Sequence, residues 1–214
     1  MVVIRLSRGG SAQVVLRAGQ RSQPTYDNIC NSIRGSPWAV PDETGWRIGG
    51  KSGWLHVLVG DQATCYQIDR HRSAEVAARV LTWDYAGTLV HDGWSSYDRF
   101  IHASHQQCVR HVIRRALRLL ETAVGGAVHF PRQVIALLRE ALSLRDCFEQ
   151  GKLSDDDLAH GFLGMAIALE ELLSRPKQNS ANQSLANHLK AHLYEWLWFL
   201  LEPRQSHVRS LESR

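Results

Sequence analysis

Two aspartates, Asp42 and Asp92, are the residues of this chain best suited to metal-ion chemistry. Asp42 begins the stretch DETGW and Asp92 lies within the stretch HDGW, each in or at the end of a short apolar run that predicts a strand. Two carboxylates brought together by a sheet make half of a divalent-metal site, because hard ions such as Mg²⁺ prefer carboxylate oxygens. A pair of such ions cleaves phosphodiesters by activating the attacking oxygen and stabilising the leaving one. From spacing alone, the ordinary alternative is that both aspartates cap turns.

The residues around the two aspartates predict a mixed α/β sheet. A Gly49-Gly50 turn between two β-favouring runs predicts a hairpin that contains Asp42. Ser73 is placed to cap a helix that ends near Leu81. The predicted strands are residues 40–48, 53–59, 64–68 and 87–91.

The chain from residue 109 onward predicts helices instead of strands. Apolar residues recur there at the three- and four-residue spacing of one helix face. Ser154 and Asp157 are spaced as a capping box, and Pro131 and Pro176 mark helix boundaries. The predicted helices are residues 109–120, a segment opened by Pro131, residues 154–173 and residues 181–201.

Composition and charge indicate a soluble globular protein without a membrane span. Of the 214 residues, 44% are hydrophobic and 21% charged, which is the ordinary globular range. The longest apolar run, residues 196–201, is far shorter than the ~20 residues of a transmembrane helix. The net charge of +4 resides in residues 1–22, which hold four arginines and no acid, so we expect a poorly ordered leader there. The four scattered cysteines predict reduced cytosolic thiols rather than disulfides.

Five motifs in register resemble the catalytic domain of the insertion-sequence-66 family of bacterial transposases. They are Asp42–Arg47, Gly50–Leu55, Asp69–Val76, Gly87–Tyr97 and His105–Arg115, and the resemblance covers roughly residues 24–201. It implies an RNase H-like α/β fold with an all-α helical insertion. It also implies an Asp-Asp-Glu active site that binds two Mg²⁺ (or Mn²⁺) ions, in which Asp42 is the first carboxylate and Asp92 the second.

The same resemblance implies DNA transposition, in which DNA phosphodiesters are cleaved and joined. The expected partners are DNA, as element ends and target, and other transposase subunits, but no membrane. The expected location is the bacterial cytoplasm, at the nucleoid. We divide the chain into a divergent leader (1–22), a partial RNase H-like core (23–120), a helical insertion (121–201) and a divergent tail (202–214).

One family feature has no counterpart in this sequence. The third carboxylate of the family is a Glu that follows a pair of asparagines and precedes an arginine, and neither Glu202 nor Glu212 has those neighbours. We therefore expect an incomplete transposase, truncated at both ends, with little or no activity in isolation. Three other interpretations stay open: a non-catalytic partner that inhibits full-length transposase, a structural zinc or DNA-binding module, and a decayed reading frame that makes no stable fold.

Basic residues near the aspartates are candidates for contacts to DNA phosphates. An arginine face on the helix that follows Asp92 suits such contacts, although a merely solvated face is an equal expectation. The complete candidate set is Lys51, Arg70, Arg72, Arg110, Arg114, Arg115 and Arg118.

Several other conspicuous residues have structural interpretations. Glu43 would point away from its neighbouring aspartate in a strand, so we expect a salt bridge or polar surface there. His102, His105, Cys108 and His111 recur every three residues, but on one helix they cannot converge on a zinc ion. Cys108 and His111 are instead expected to support the active-site helix by packing and hydrogen bonding. Core packing rather than base stacking is expected of Trp46, Trp54, Trp83, Trp94, Trp196 and Trp198.

Overall fold

A computed structural model describes residues 7–201 and contains a five-stranded mixed sheet. The strands are β1 (Trp38–Ile48), β2 (Lys51–Gly60), β3 (Thr64–Asp69), β4 (Thr88–His91) and β5 (Ser104–Gln107). Their order across the sheet is β3-β2-β1-β4-β5. β2 runs antiparallel to both β1 and β3, whereas β1, β4 and β5 are parallel. This arrangement confirms the predicted α/β class and is compatible with an RNase H-like fold that carries a helical insertion.

The helices lie before, within and after the sheet. They are α1 (Arg8–Arg34), α2 (Ala74–Leu81), α3 (Val109–Thr122), α4 (His129–Glu149), α5 (Asp155–Ser174), α6 (Ser180–Ala191) and α7 (Trp198–Leu201). Short 3₁₀ turns occupy Ser95–Arg99 and Gly125–Val128. None of the helices within residues 7–201 combines the length and the apolar character that crossing a bilayer requires.

Two local predictions of helix starts are confirmed. The Ser73 side chain accepts a hydrogen bond from the Glu75 N–H at the start of α2. Ser154 and Asp157 form the predicted capping box of α5. The predicted last helix differs, because the chain turns between α6 and α7 and places Trp196 in the core rather than along one continuous helix.

The leader also differs from its prediction. Residues 8–22 belong to α1, which Ser7 caps by accepting from the Gly10 N–H. Only the last part of this helix packs on the sheet, where Cys30 and Ile33 are buried. The side chains of residues 11–25 are exposed, so they carry no apolar periodicity from which the helix could be read. Residues 1–6 and the predicted tail 202–214 lie outside the described residues.

Two hydrophobic cores hold these elements. In the first, α1 and α2 pack on the sheet face that carries Ala39, Leu58 and Leu89. In the second, α3 to α7 pack together, with Trp196 1% exposed. The core prediction is therefore confirmed for Trp196, whereas Trp46 is 47% exposed and the prediction is wrong for it. The four cysteines are free, as predicted.

Candidate active site

The register of the parallel strands β1 and β4 relates Asp42 to Asp92. Trp38 pairs with Thr88 and Ala39 with Leu89, so paired residues of β1 and β4 differ by 50 in number. The same offset joins Asp42 to Asp92, which directly follows β4. Continued three residues beyond the last pair, this register would set both carboxylates on one face of the sheet as neighbours, because side chains alternate along a strand and adjacent strands lie about 4.8 Å apart.

The electrostatics of two nearby groups agree with this placement. Burial raises the pKa of the Tyr97 hydroxyl, and the charges of Glu43, Asp92 and Asp42 raise it further. Burial also raises the pKa of the Cys108 thiol, and again both Asp42 and Asp92 contribute. Both carboxylates therefore act on the same two groups. Both are also exposed, so neither carries the desolvation cost of a buried charge, and both are open to ions and substrate.

The turn that carries Asp92 depends on Gly93. The Trp94 N–H donates to Asp92 Oδ1 at 3.0 Å. Gly93 has φ +85°, and a Cβ added there would lie 2.6 Å from His188 and 2.8 Å from Gln107. A side chain at position 93 would therefore both strain the backbone and displace the wall behind Asp92.

Two histidines, His91 and His105, support the same turn. His105 Nε2 lies 3.1 Å from the Phe100 carbonyl, to which it donates, so its Nδ1 accepts from His91 Nε2 at 2.9 Å. His91 Nδ1 in turn accepts from the Gly93 N–H at 3.2 Å. Burial, with the neighbouring imidazoles of His105 and His192, lowers the pKa of His91 to about 3. His91 thus stays uncharged at neutral pH, and its hydrogen bond to the Gly93 N–H fixes the turn.

On the opposite sheet face, Glu43 makes the predicted salt bridge. Its side chain is 3% exposed, and Oε1 lies 2.6 Å from the Arg72 guanidinium. Its other oxygen accepts from the Tyr97 hydroxyl at 2.8 Å. The guanidinium also stacks on Trp54 and Trp94, at 5.3 and 4.5 Å from the ring centroids. Arg72 therefore ties β1 and β2 to the segment after Asp92, while its contact with DNA stays a prediction.

A basic cleft borders Asp92. Its volume is about 240 Å³, and it is formed between α3 and α6. The lining residues are Asp92, His111, Val112, Arg114, Arg115, Arg118, His188 and Trp196. The cleft meets Asp92 because α3 begins directly after β5, where the Cys108 N–H donates to the His91 carbonyl at 2.7 Å. Three of the predicted DNA-binding arginines are thereby brought beside the second aspartate. Three of the remaining candidates are exposed and lie outside the cleft: Lys51, Arg70 and Arg110.

The stretch that holds Cys108 and His111 is not one helix. His105 lies on β5, Cys108 caps α3, and His111 is in the first turn of α3. The geometry of a single helix, which would keep these side chains apart, therefore does not apply to this stretch. Within residues 7–201, no three His, Cys, Asp or Glu side chains form a group that could hold a metal ion. The observed contacts of this stretch are hydrogen bonds, such as the His111 N–H to the Cys108 carbonyl.

Comparison with known proteins supports one family. The sequence model of the IS66 family of transposases matches residues 2–203. The chain belongs to this family. The match includes residues 2–22, the segment for which the sequence analysis predicts a divergent leader. No curated protein matches the chain.

This IS66 transposase also has polar residues near the site that sequence reasoning missed. Gln107 at the end of β5 donates to Glu195 Oε2 at 2.6 Å, and its N–H donates to the Glu195 carbonyl at 3.1 Å. Gln106 accepts from the Phe199 N–H at 2.7 Å. These bonds attach the helical core to the sheet edge. β5 reads Ser-His-Gln-Gln, which has no β-branched or aromatic residue, so no propensity signal pointed to it.

Proposed function

We propose that this IS66 transposase acts in DNA transposition by holding divalent metal ions on Asp42 and Asp92, where DNA phosphodiesters are cleaved and joined. Family membership supports the DNA transposition role. The observation that supports the site is the offset of 50 residues between the paired positions of β1 and β4, which, continued by three residues, would set Asp42 beside Asp92. A location at the bacterial nucleoid follows from DNA as the substrate.

The residues present fit Mg²⁺ or Mn²⁺. Both ligands are exposed carboxylates, and Mg²⁺ in phosphate enzymes is commonly held by one or two carboxylates together with substrate phosphates. When bound, the ions activate the attacking water or 3′-hydroxyl and offset charge on the leaving oxygen. Asp42 and Asp92 orient the ions, and the arginines of α3 hold the DNA backbone beside them. Lys51, Arg70 and Arg110 would extend these contacts along the duplex.

The described residues supply two carboxylates and no third ligand grouped with them. Removing one member of a catalytic set commonly costs orders of magnitude in rate. We therefore expect residues 7–201 by themselves to bind metal and DNA but to cleave DNA slowly or not at all. Metal binding, rather than turnover, is the more direct test of the site.

A second candidate function is that of a non-catalytic partner for another transposase subunit. It is favoured by an apolar surface on the same sheet face as Asp42, because Asp42 pairs with Val57 and Val57 pairs with Tyr66. Tyr66 is 61% exposed and Ile68 is 54% exposed. An exposed apolar patch of this kind marks a protein contact. Co-purification with a complete IS66 transposase, lost in Tyr66→Lys, would support this candidate.

The metal site can be tested by titrating Mn²⁺ into the purified chain and following the heat of binding. Asp42→Asn and Asp92→Asn remove one charge each at exposed positions, so both should fold and both should lose Mn²⁺ binding. Asp98→Asn, in the exposed 3₁₀ turn that follows, is the matched control and should bind as the wild type does. Equal binding by all four proteins would refute the proposed site.

A further inference from the structure

We propose that the cleft between α3 and α6 is a binding site for a single phosphate of the DNA backbone, adjacent to the position attacked at Asp92. This inference rests on the proposed function in one respect, that DNA is the substrate. It goes further in assigning a specific phosphate site and two histidines that the sequence did not connect with DNA.

The size of the cleft suits a phosphate with its attached sugar. Its volume of about 240 Å³ is below the ~300–1,000 Å³ of pockets that enclose drug-sized ligands. One wall is the α3 surface with Arg114 and Arg118, and the opposite wall carries His188 of α6. Such a cleft is too small for a base pair but admits a group that projects from the surface of a duplex.

The charge of the cleft selects an anion. Arg114, Arg115 and Arg118 form no ion pair with any acidic residue in the part of the chain that the structure describes. Arg115 donates to Ser184 Oγ at 2.9 Å, which holds its guanidinium across the cleft toward α6. A guanidinium presents its N–H groups as a planar fork that matches two phosphate oxygens. Asp92 is the single acidic residue of the lining, so three positive charges face one negative charge.

Two histidines border the cleft, His188 from α6 and His111 from α3. Burial, together with Arg115 and His192, lowers the pKa of His188 despite the opposing effect of Asp92. His111 borders the cleft, and its Nδ1 is buried without a hydrogen-bond partner among residues 7–201. Unpaired buried nitrogens are rare in folded proteins. A phosphate oxygen bound in the cleft would give this nitrogen an acceptor.

The position of the cleft links the phosphate to the catalytic carboxylate. A Cβ on Gly93 would contact His188, so the turn that presents Asp92 packs directly on the α6 wall. The first turn of α3 carries His111, and the positive end of a helix favours an anion there. A phosphate in the cleft would therefore hold the DNA strand at a fixed distance from Asp92. Holding the strand in this way would favour reaction at the neighbouring phosphodiester, because the reacting groups are already in position.

The test measures affinity for a fluorescein-labelled DNA duplex in EDTA over a range of salt concentrations. Each phosphate neutralised adds about 0.9 to the slope of log affinity against log salt. The Arg114→Ala/Arg118→Ala double variant should therefore lose about one unit of slope and bind about tenfold more weakly at low salt. Arg132→Ala/Arg139→Ala removes the same charge from exposed positions of α4 and should keep the wild-type slope.

Two further variants make the result decisive. The Arg114→Lys/Arg118→Lys variant keeps the charge without the planar fork of a guanidinium, so it should show the wild-type slope but bind with part of the affinity lost. His111→Gln should weaken binding with the slope unchanged. Equal slopes for the α3 and α4 double variants would overturn the phosphate site. Because no metal is present, loss of Mn²⁺ binding at Asp42 and Asp92 tests the proposed function separately, and either result can fail alone.

Discussion

Neutralising Glu43 should destabilise the protein although this residue is not expected to touch metal or DNA. In Glu43→Gln the side chain keeps its size and an oxygen that can accept from Tyr97, but it loses the charge that faces Arg72. Breaking a buried ion pair costs about 3–5 kcal/mol, because the remaining charge is left without a partner. The Arg72 side chain is 38% exposed, so water partly compensates, and we expect a loss of about 2 kcal/mol in unfolding free energy.

The effect should extend to the active site through Trp94. Arg72 stacks on the Trp94 ring at 4.5 Å, and the Trp94 N–H binds Asp92 Oδ1 at 3.0 Å. Losing the charge partner of Arg72 frees this contact, so Asp92 becomes less fixed. We expect weaker Mn²⁺ binding by Glu43→Gln than by the wild type under conditions where both are folded. The Arg72→Leu/Glu43→Gln double variant should recover part of the lost stability, because no unpaired charge remains.

Urea unfolding followed by tryptophan fluorescence measures the change in unfolding free energy, provided that this free energy falls with urea concentration at the same rate in all proteins. Glu75→Gln is the matched control, because Glu75 pairs with Arg99 on the surface, where both side chains are more than half exposed. Exposed pairs contribute little, so this variant should unfold almost as the wild type does. If Glu43→Gln also unfolds within 0.5 kcal/mol (roughly the measurement error) of the wild type, the reasoning about the buried pair is wrong.

Three other expectations follow from contacts of the same kind. Gly93→Ala should cost about 1–3 kcal/mol and weaken Mn²⁺ binding, whereas Gly45→Ala, which has nothing within 4 Å and no positive φ, should have a small effect in the same melts. The unfolding free energy should fall as pH drops below about 6.5, because His91 is protonated there in the unfolded chain but only below about pH 3 in the folded protein. In urea melts between pH 6 and 4, His91→Gln should therefore reduce the dependence of unfolding free energy on pH, by at most about 1.4 kcal/mol per pH unit. Trp196→Ala should cost about 3–5 kcal/mol and Trp46→Ala less than about 1 kcal/mol, since their side chains are 1% and 47% exposed; similar costs would contradict the assigned burial.

The sheet and most helices were predictable because their signals are local. The strand predictions agree with β1 to β4 to within two residues at each end, and both helix-cap predictions are confirmed. The exceptions have identifiable physical causes. β5 lacks β-favouring residues and is held by Gln106 and Gln107 bonding to the helical core. The first half of α1 has no buried side chain, so the sequence has no periodic pattern of apolar residues there that would predict a helix.

The candidate site was predictable only in part. Asp42, Asp92 and the arginines of α3 could be named from motifs and from the family resemblance, and the salt bridge of Glu43 from strand alternation. The partners of Glu43 could not be named, because Tyr97 lies 54 residues away in the chain. Nor could the cleft, since Ser184 and His188 of α6 approach α3 from about 70 residues further along. Pairings at such distances leave no trace in the local sequence.

By itself, the sequence determined the family, the α/β class, the two candidate carboxylates and the run of helices after residue 109, because spacing, turn residues and motif order are properties of neighbouring residues. The tertiary structure alone decided that β1 and β4 pair with an offset of 50 residues, that Arg72 stacks between Trp54 and Trp94, and that a basic cleft opens beside Asp92. The physical reason is that strand register and helix packing are set by burial shared between distant segments. That burial is a property of the folded chain as a whole and of no single stretch of it.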